Sequence, residues 1–129
     1  MSVPEVAPVT RTLTQAMIDA YAEASGDHNP IHIDPDFART TPMGGTIAHG
    51  MLVLSFISEM MTAAFGEAWL RGGTLDVRFR APARPGDTVT ARARPLESKD
   101  GALRYAVECA SQTDEVLISG TAEVTSVTA

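Results

Sequence analysis

The sequence holds a single cysteine, Cys109. No disulfide can therefore form within the chain, and no second thiol stands at metal-ligand spacing. Basic side chains are few, ten against sixteen acidic ones for a formal charge of −6. That balance argues against nucleic acid or an anionic membrane surface as a general partner. A polyanionic ligand would need a local basic patch. No apolar run reaches the ~20 residues of a membrane-spanning helix, because the longest, from Met51, is broken by Ser55, Ser58 and Glu59. The opening MSVPEVAPVTRT lacks the basic start and apolar stretch of a secretory signal, so the expectation is a cytoplasmic protein. Internal repeats, low-complexity tracts and a G-x-S-x-G nucleophile elbow are missing too.

What is there reads as an ordinary folded chain. At 129 residues, with 44% hydrophobic and 20% charged, it suits one domain over 1–129, small enough for a dimer to be unsurprising. An edge strand is expected near Val9 to Leu13. Thr14 then suits a helix N-cap, with Leu13 stapled onto Ile18, and Met17, Tyr21 and Ala24 form an apolar stripe up to Gly26. Pro30 prevents that helix from continuing and pushes Asn29 toward extended backbone. Asp34-Pro35-Asp36 opens a second short helix, which fades by Thr41-Pro42. Asp27 and His32 are thus expected in a rigid loop between two helices.

From Met51 to about Phe65 the residues are apolar on nearly every side, as in a buried helix. After a turn-rich Gly66 to Gly73 the period changes to two, through Leu75, Val77, Phe79 and three later segments ending in Val116, Ile118, Gly120, Ala122, Val124. Four such strands in sequence predict an antiparallel meander with one apolar face, and the buried helix is the partner able to cover it. The fold class is therefore α+β, a single antiparallel β-sheet wrapped around a long central helix.

Several groups could carry chemistry. Asp27 and His32, five residues apart in a proline-fixed loop, suit general acid–base work; equally, Asp27 could cap the loop and His32 be structural. His28 and His32 have i, i+4 spacing, but Pro30 breaks the helix that would align them, and Asp34 and His49 restore no metal-ligand pattern, so no metal site is expected. The Gly50 N–H would stand among the unpaired donors at the buried helix's positive end, suited to developing negative charge on a thioester oxygen, or the glycine could serve packing alone. A mid-helix Ser58 is a poor nucleophile and suits hydrogen bonding, while His49 suits loop fixing. Arg71, Arg78, Arg80, Arg84, Arg92 and Arg94 crowd into one region, either as a solvated sheet face or as a phosphate patch led by Arg84.

The run YAEASGDHNPIHIDPDFA followed by GGTIAHGM, and later FRAPARPGD, resembles the hydratase-2 signature of the MaoC-like (R)-specific enoyl-CoA hydratases. The resemblance spans about Tyr21 to Ser58, with D-x-N-P-x-H, D-P-x-x-A and A-H-G-M in the right order. It implies a hot-dog fold and reversible hydration of a trans-2-enoyl-CoA to the (R)-3-hydroxyacyl-CoA. It places a catalytic dyad on Asp27 and His32, support on Asn29, an oxyanion donor on the Gly50 N–H and a site-lining serine on Ser58. It implies no cofactor beyond the coenzyme A that the substrate carries, with Arg78, Arg80 and Arg84 as candidate contacts for its phosphates. It also implies a homodimer joined edge to edge near the active site, or a higher oligomer of such dimers. A 3-hydroxyacyl dehydratase acting on acyl-carrier protein and a hot-dog acyl-CoA thioesterase are the alternatives. Single-domain length favours short to medium acyl chains.

Overall fold

Period-two alternation becomes strand where the apolar set has a surface to cover. In the computed structural model, which describes residues 3–125, the later strands do this, and with an exposed first strand there are five: β1 Val9–Thr12, β2 Gly73–Phe79, β3 Thr88–Pro95, β4 Ala102–Ala110 and β5 Val116–Thr125. They form one sheet in the order β1-β3-β4-β5-β2, every neighbouring pair antiparallel. Helices α1 Gln15–Ser25, α2 Pro30–Ile33, α3 Pro35–Arg39, α4 Gly50–Phe65 and α5 Glu67–Gly72 complete the chain.

The meander expected for all four later strands holds only for β3, β4 and β5. Strand β2 pairs with β5 through Val77 opposite Gly120, at the far edge of the sheet from β1. A tight hairpin from β2 into β3 is prevented by the connection over 80–87, where Pro82 and Pro85 cannot donate to a ladder. This segment instead crosses the end of the sheet. Arg80 N–H donates to the Leu117 carbonyl, Ala83 accepts from Ala48 N–H, and Gly86 N–H donates to the Leu13 carbonyl. The crossing brings 81–83 beside the start of α4.

Helix α4 packs against β1, β3 and β4. Its Val53, Phe56, Ile57, Met60 and Met61 are buried with Val89, Ala91, Val107, Cys109, Ile118, Ala122 and Val124 of the sheet. Burial all round is not realised, however. Met51 is 56% exposed, Ser55 is exposed, and Leu54 and Ser58 are only half-buried. An apolar strip of the central helix therefore faces outward.

Helix α1 begins as expected, with the Thr14 hydroxyl accepting Met17 N–H, and ends at Gly26 with φ 78°, a left-handed cap glycine adopts at little cost. Its buried face is rotated by one residue from the expected stripe: Ile18 and Ala22 are buried, while Ala24 is exposed. The expected turn from Gly66 to Gly73 is in fact α5, whose Trp69 is buried against the core. A short helix flanked by glycines carries too few residues for periodicity to reveal it. Among the described residues no helix is long and apolar enough to cross a membrane.

Candidate active site

Asn29 and Pro30 decide the local path. Asn29 is extended in ψ (127°) and accepts Ile31 N–H on its Oδ1 at 3.1 Å, so it caps the single turn that Pro30 starts. His32 accordingly lies in this turn, α2, rather than in the open loop expected from sequence. Asp27 uses one carboxylate oxygen locally, Oδ1 accepting Asn29 N–H at 3.2 Å. The other, Oδ2, stands 3.9 Å from His32 Nε2. One oxygen of Asp27 thus caps the loop while the other faces His32.

The proton on His32 is placed by its other nitrogen. Nδ1 lies 2.8 Å from the Ile47 carbonyl, which can only accept, so Nδ1 carries the hydrogen and the neutral ring keeps a lone pair on Nε2 facing Asp27. A gap of 3.9 Å is too long for a direct hydrogen bond but lets one water oxygen reach both atoms. The His32 side chain is 12% exposed and that of Asp27 is 53% exposed.

His49 ties the group together. It is buried, its Nε2–H donates to the Asp27 backbone carbonyl at 3.0 Å, and its ring stacks on His32 with centroids 3.9 Å apart. Tyr21 covers it, ring centroids 4.8 Å apart. Asp27, His32 and His49 each offer a ligand atom within 4.8 Å of the others. An imidazole ligates through a lone pair in its own plane, and rings stacked only 25° apart direct those pairs side by side, while His49 Nε2–H is committed to a carbonyl.

His32 and Gly50 share the wall of a cavity of about 350 Å³, with Met43, Ile47, Val53 and Phe79. Gly50 opens α4, where the Leu52 and Val53 N–H groups turn back to the His49 carbonyl and those of Gly50 and Met51 make no such bond. A side chain at Gly50 would put its Cβ 2.9 Å from the Phe79 ring, so glycine lets that ring lie where it does. The site thus sets His32 and the Gly50 helix end on one mostly apolar hollow, with the Asp27 carboxylate 3.9 Å from His32 Nε2.

The remaining expected residues separate. Ser58 lies two turns along α4 and is not on this wall. His28 turns away to Glu23 at 2.9 Å, and that hydrogen bond chiefly raises its pKa above the ordinary 6.5. Of the arginines proposed for phosphate, Arg80 lines the cavity and donates from Nε to Ser119 Oγ, whereas Arg78 projects from the exposed edge strand. Arg84, the leading candidate from sequence, is half-buried beside Gly45. Sequence reasoning missed Gln15, Thr46 and the Ile47 carbonyl. Gln15 lies outside the motif, and Thr46 and Ile47 lie within it but show no local sign of the side-chain and backbone bonds they make.

Comparison with known proteins bears on the whole arrangement. The MaoC like domain matches this chain over residues 3–116. The chain belongs to the MaoC-like domain family. Within that family it is 32% identical over 115 residues to the 3-hydroxybutyryl-CoA dehydratase of Methylorubrum extorquens, covering 88% of this chain and 73% of that one. It is 38% identical over 84 residues to 3-hydroxyacyl-thioester dehydratase Z of Mycobacterium tuberculosis, and that match spans 62% of this chain and only 56% of the relative. Among solved structures, the unliganded R-hydratase PhaJ1 of Pseudomonas aeruginosa superposes with a TM-score of 0.84 at 28% identity, covering 97% of this chain and 81% of that one. This MaoC-like chain therefore has the hot-dog fold that its motif implied.

Proposed function

We propose that this chain is a hydratase or dehydratase that adds water reversibly and syn across a trans-2-enoyl thioester, giving the (R)-3-hydroxyacyl thioester. The observation that carries the reading is the His32 Nε2 lone pair, 3.9 Å from Asp27 Oδ2, on the wall of a cavity that also takes in Gly50. Asp27 and His32 hold one water between them. Its oxygen bonds to C3, the C2=C3 electron pair moves toward the thioester oxygen, and the proton taken by the dyad is returned to C2. The Gly50 N–H meets the negative charge that develops on that oxygen, assisted by the α4 dipole. Met43, Val53 and Phe79 supply the apolar wall for a short to medium acyl chain.

Coenzyme A is the preferred carrier, and no further cofactor is invoked. Among the described residues Arg78, Arg80, Arg84 and Arg94 make no ion pair, while Arg11, Arg39, Arg71, Arg92 and Arg104 each face a carboxylate. Arg80 stands on the cavity wall, so it is the best placed to meet a phosphate. The same edge supports a homodimer. Antiparallel pairing of β2 with its copy about Val77 would oppose Asp76 to the partner subunit's Arg78 twice, and would begin to cover Phe79 and Met51, both 56% exposed. Charge swapping tests this: Asp76→Arg or Arg78→Asp alone should yield monomer by light scattering, and the double swap should restore the dimer.

The function itself is tested by incubating the protein with enoyl-CoA esters of four to twelve carbons and following loss of the conjugated double bond, then determining product chirality. Hydration to the (R)-alcohol is expected. Release of free thiol without hydration would identify a thioesterase instead, and turnover confined to acyl-carrier-protein substrates would move the assignment to the carrier-linked dehydratase.

A further inference from the structure

A polar link joins a residue outside the motif to two within it. Gln15, the first residue of α1, makes three hydrogen bonds with its side chain. Nε2–H groups donate to the His32 backbone carbonyl at 2.8 Å and to Asp19 Oδ1 at 2.9 Å, and Oε1 accepts the Thr46 hydroxyl at 2.7 Å. The amide orientation is unambiguous, since turning it over would set its oxygen against a carbonyl and a carboxylate. Thr46 is 8% exposed, so its hydroxyl has little water to fall back on.

These partners are not arbitrary. The His32 carbonyl belongs to the residue bearing the Nε2 lone pair, and Thr46 immediately precedes Ile47, whose carbonyl accepts His32 Nδ1–H. Ile47 N–H in turn donates to the Ile31 carbonyl at 3.1 Å. One amide thus spans both ends of the bond that fixes which His32 nitrogen carries the hydrogen. We infer that Gln15 is a positioning residue for His32, holding α2 and the 46–48 segment at the separation that keeps the hydrogen on Nδ1 and the lone pair on Nε2 aimed at Asp27. This rests on the proposed role of His32, and it assigns Gln15 no contact with substrate.

The test uses the intact protein with ¹⁵N-labelled histidine, the His32 resonances being identified by their loss in His32→Ala. Nuclear magnetic resonance at neutral pH reads the tautomer directly and without substrate. In the native protein His32 should show the Nδ1–H form with a slowly exchanging proton. Gln15→Met, similar in volume but without donors or acceptor, should mix the tautomers and speed exchange, and should lower kcat about tenfold to a hundredfold with KM within about twofold. Thr46→Val removes only one of the three bonds and should move both readouts the same way by less; it carries the test if Gln15→Met does not fold. An unchanged His32 tautomer and exchange rate in a folded variant overturns the inference, whatever happens to turnover. If the native protein hydrates no enoyl thioester, the functional proposal falls, and the tautomer measurement still decides the role of Gln15.

Discussion

Residues 26–49 and the α4–sheet core are held by different forces. In the first segment only Ala38, Thr46, Ala48 and His49 are buried. Its shape comes from aimed polar contacts: Asp27 to Asn29, Asn29 to Ile31, Asp34 to the Asp36 and Phe37 N–H groups, His32 to Ile47, and His49 to Asp27. In the core, Ile57, Met60, Met61, Tyr105, Leu117 and Ile118 are fully buried apolar or aromatic side chains. A hydrogen bond contributes only about 0.5–1.5 kcal/mol net but depends steeply on direction. Apolar burial contributes more and has no direction. Orientation is therefore concentrated in one region and stability in the other, and substitutions in each should be read by different measurements.

The largest separation is expected at the dyad. Asp27→Asn keeps an Oδ1 for Asn29 N–H, and His32→Ala removes the lone pair; each should lower kcat about 10²–10⁴-fold. Thermal denaturation should show Tm within a few degrees of the native value. Native turnover in both variants would break the comparison at its functional end. The converse is Ile57→Ala, which opens a cavity beneath the sheet and should cost about 2–5 kcal/mol in a urea titration. Its kcat, measured well below the transition, should stay within about threefold of native because none of its contacts aims a reacting group.

A substitution that belongs to both regions sharpens the contrast. Gly50→Ala puts a methyl group against Phe79, which is exposed enough to swing away. Stability should change by less than about 1 kcal/mol, while turnover falls roughly tenfold as the cavity narrows beside the helix-end donors. Phe79→Leu in the same chain should recover part of that loss. The smallest effect is expected at His28. Its pKa is raised, mainly through the Glu23 hydrogen bond, opposed next by desolvation and supported by the Glu23 charge, the Gly26 backbone hydrogen bond and the Asp27 charge. A raised histidine pKa stabilises the fold in full below the ordinary 6.5, and that contribution is lost as pH rises through the raised value. Glu23→Gln should bring the His28 titration, followed by proton resonance, back toward 6.5 and flatten this small slope without altering turnover.

What could be read from the chain differs between the regions for the same physical reason. Asn29-Pro30 and Asp34-Pro35 act on their own neighbours, so the turns carrying Asp27 and His32 were legible, although a helical turn as short as 30–33 cannot be told from loop by pattern. The strands were legible from alternation. The place of β2 was not, because it depends on how 80–87 crosses the sheet, and that crossing is fixed by bonds to Leu13, Ala48 and Leu117. Apolar content could mark α4 as central but could not show that Met51 and Leu54 would lack cover. Gln15 was illegible altogether. A glutamine at the start of an amphipathic helix has many equivalent surface roles, and only the folded chain brings Thr46 and the His32 carbonyl to it.

His49 stands immediately before Gly50 while its ring holds the Asp27 carbonyl and stacks on His32. Asp27, His32 and the helix-end donors are consequently fastened to the same end of α4. A substitution that shifted the helix within the sheet would carry them together. Substitutions farther along α4 or on the facing strands can then recut the hollow for a longer or bulkier acyl group without retuning the reacting geometry. Descendants of such a chain could change substrate by small steps, each intermediate remaining active.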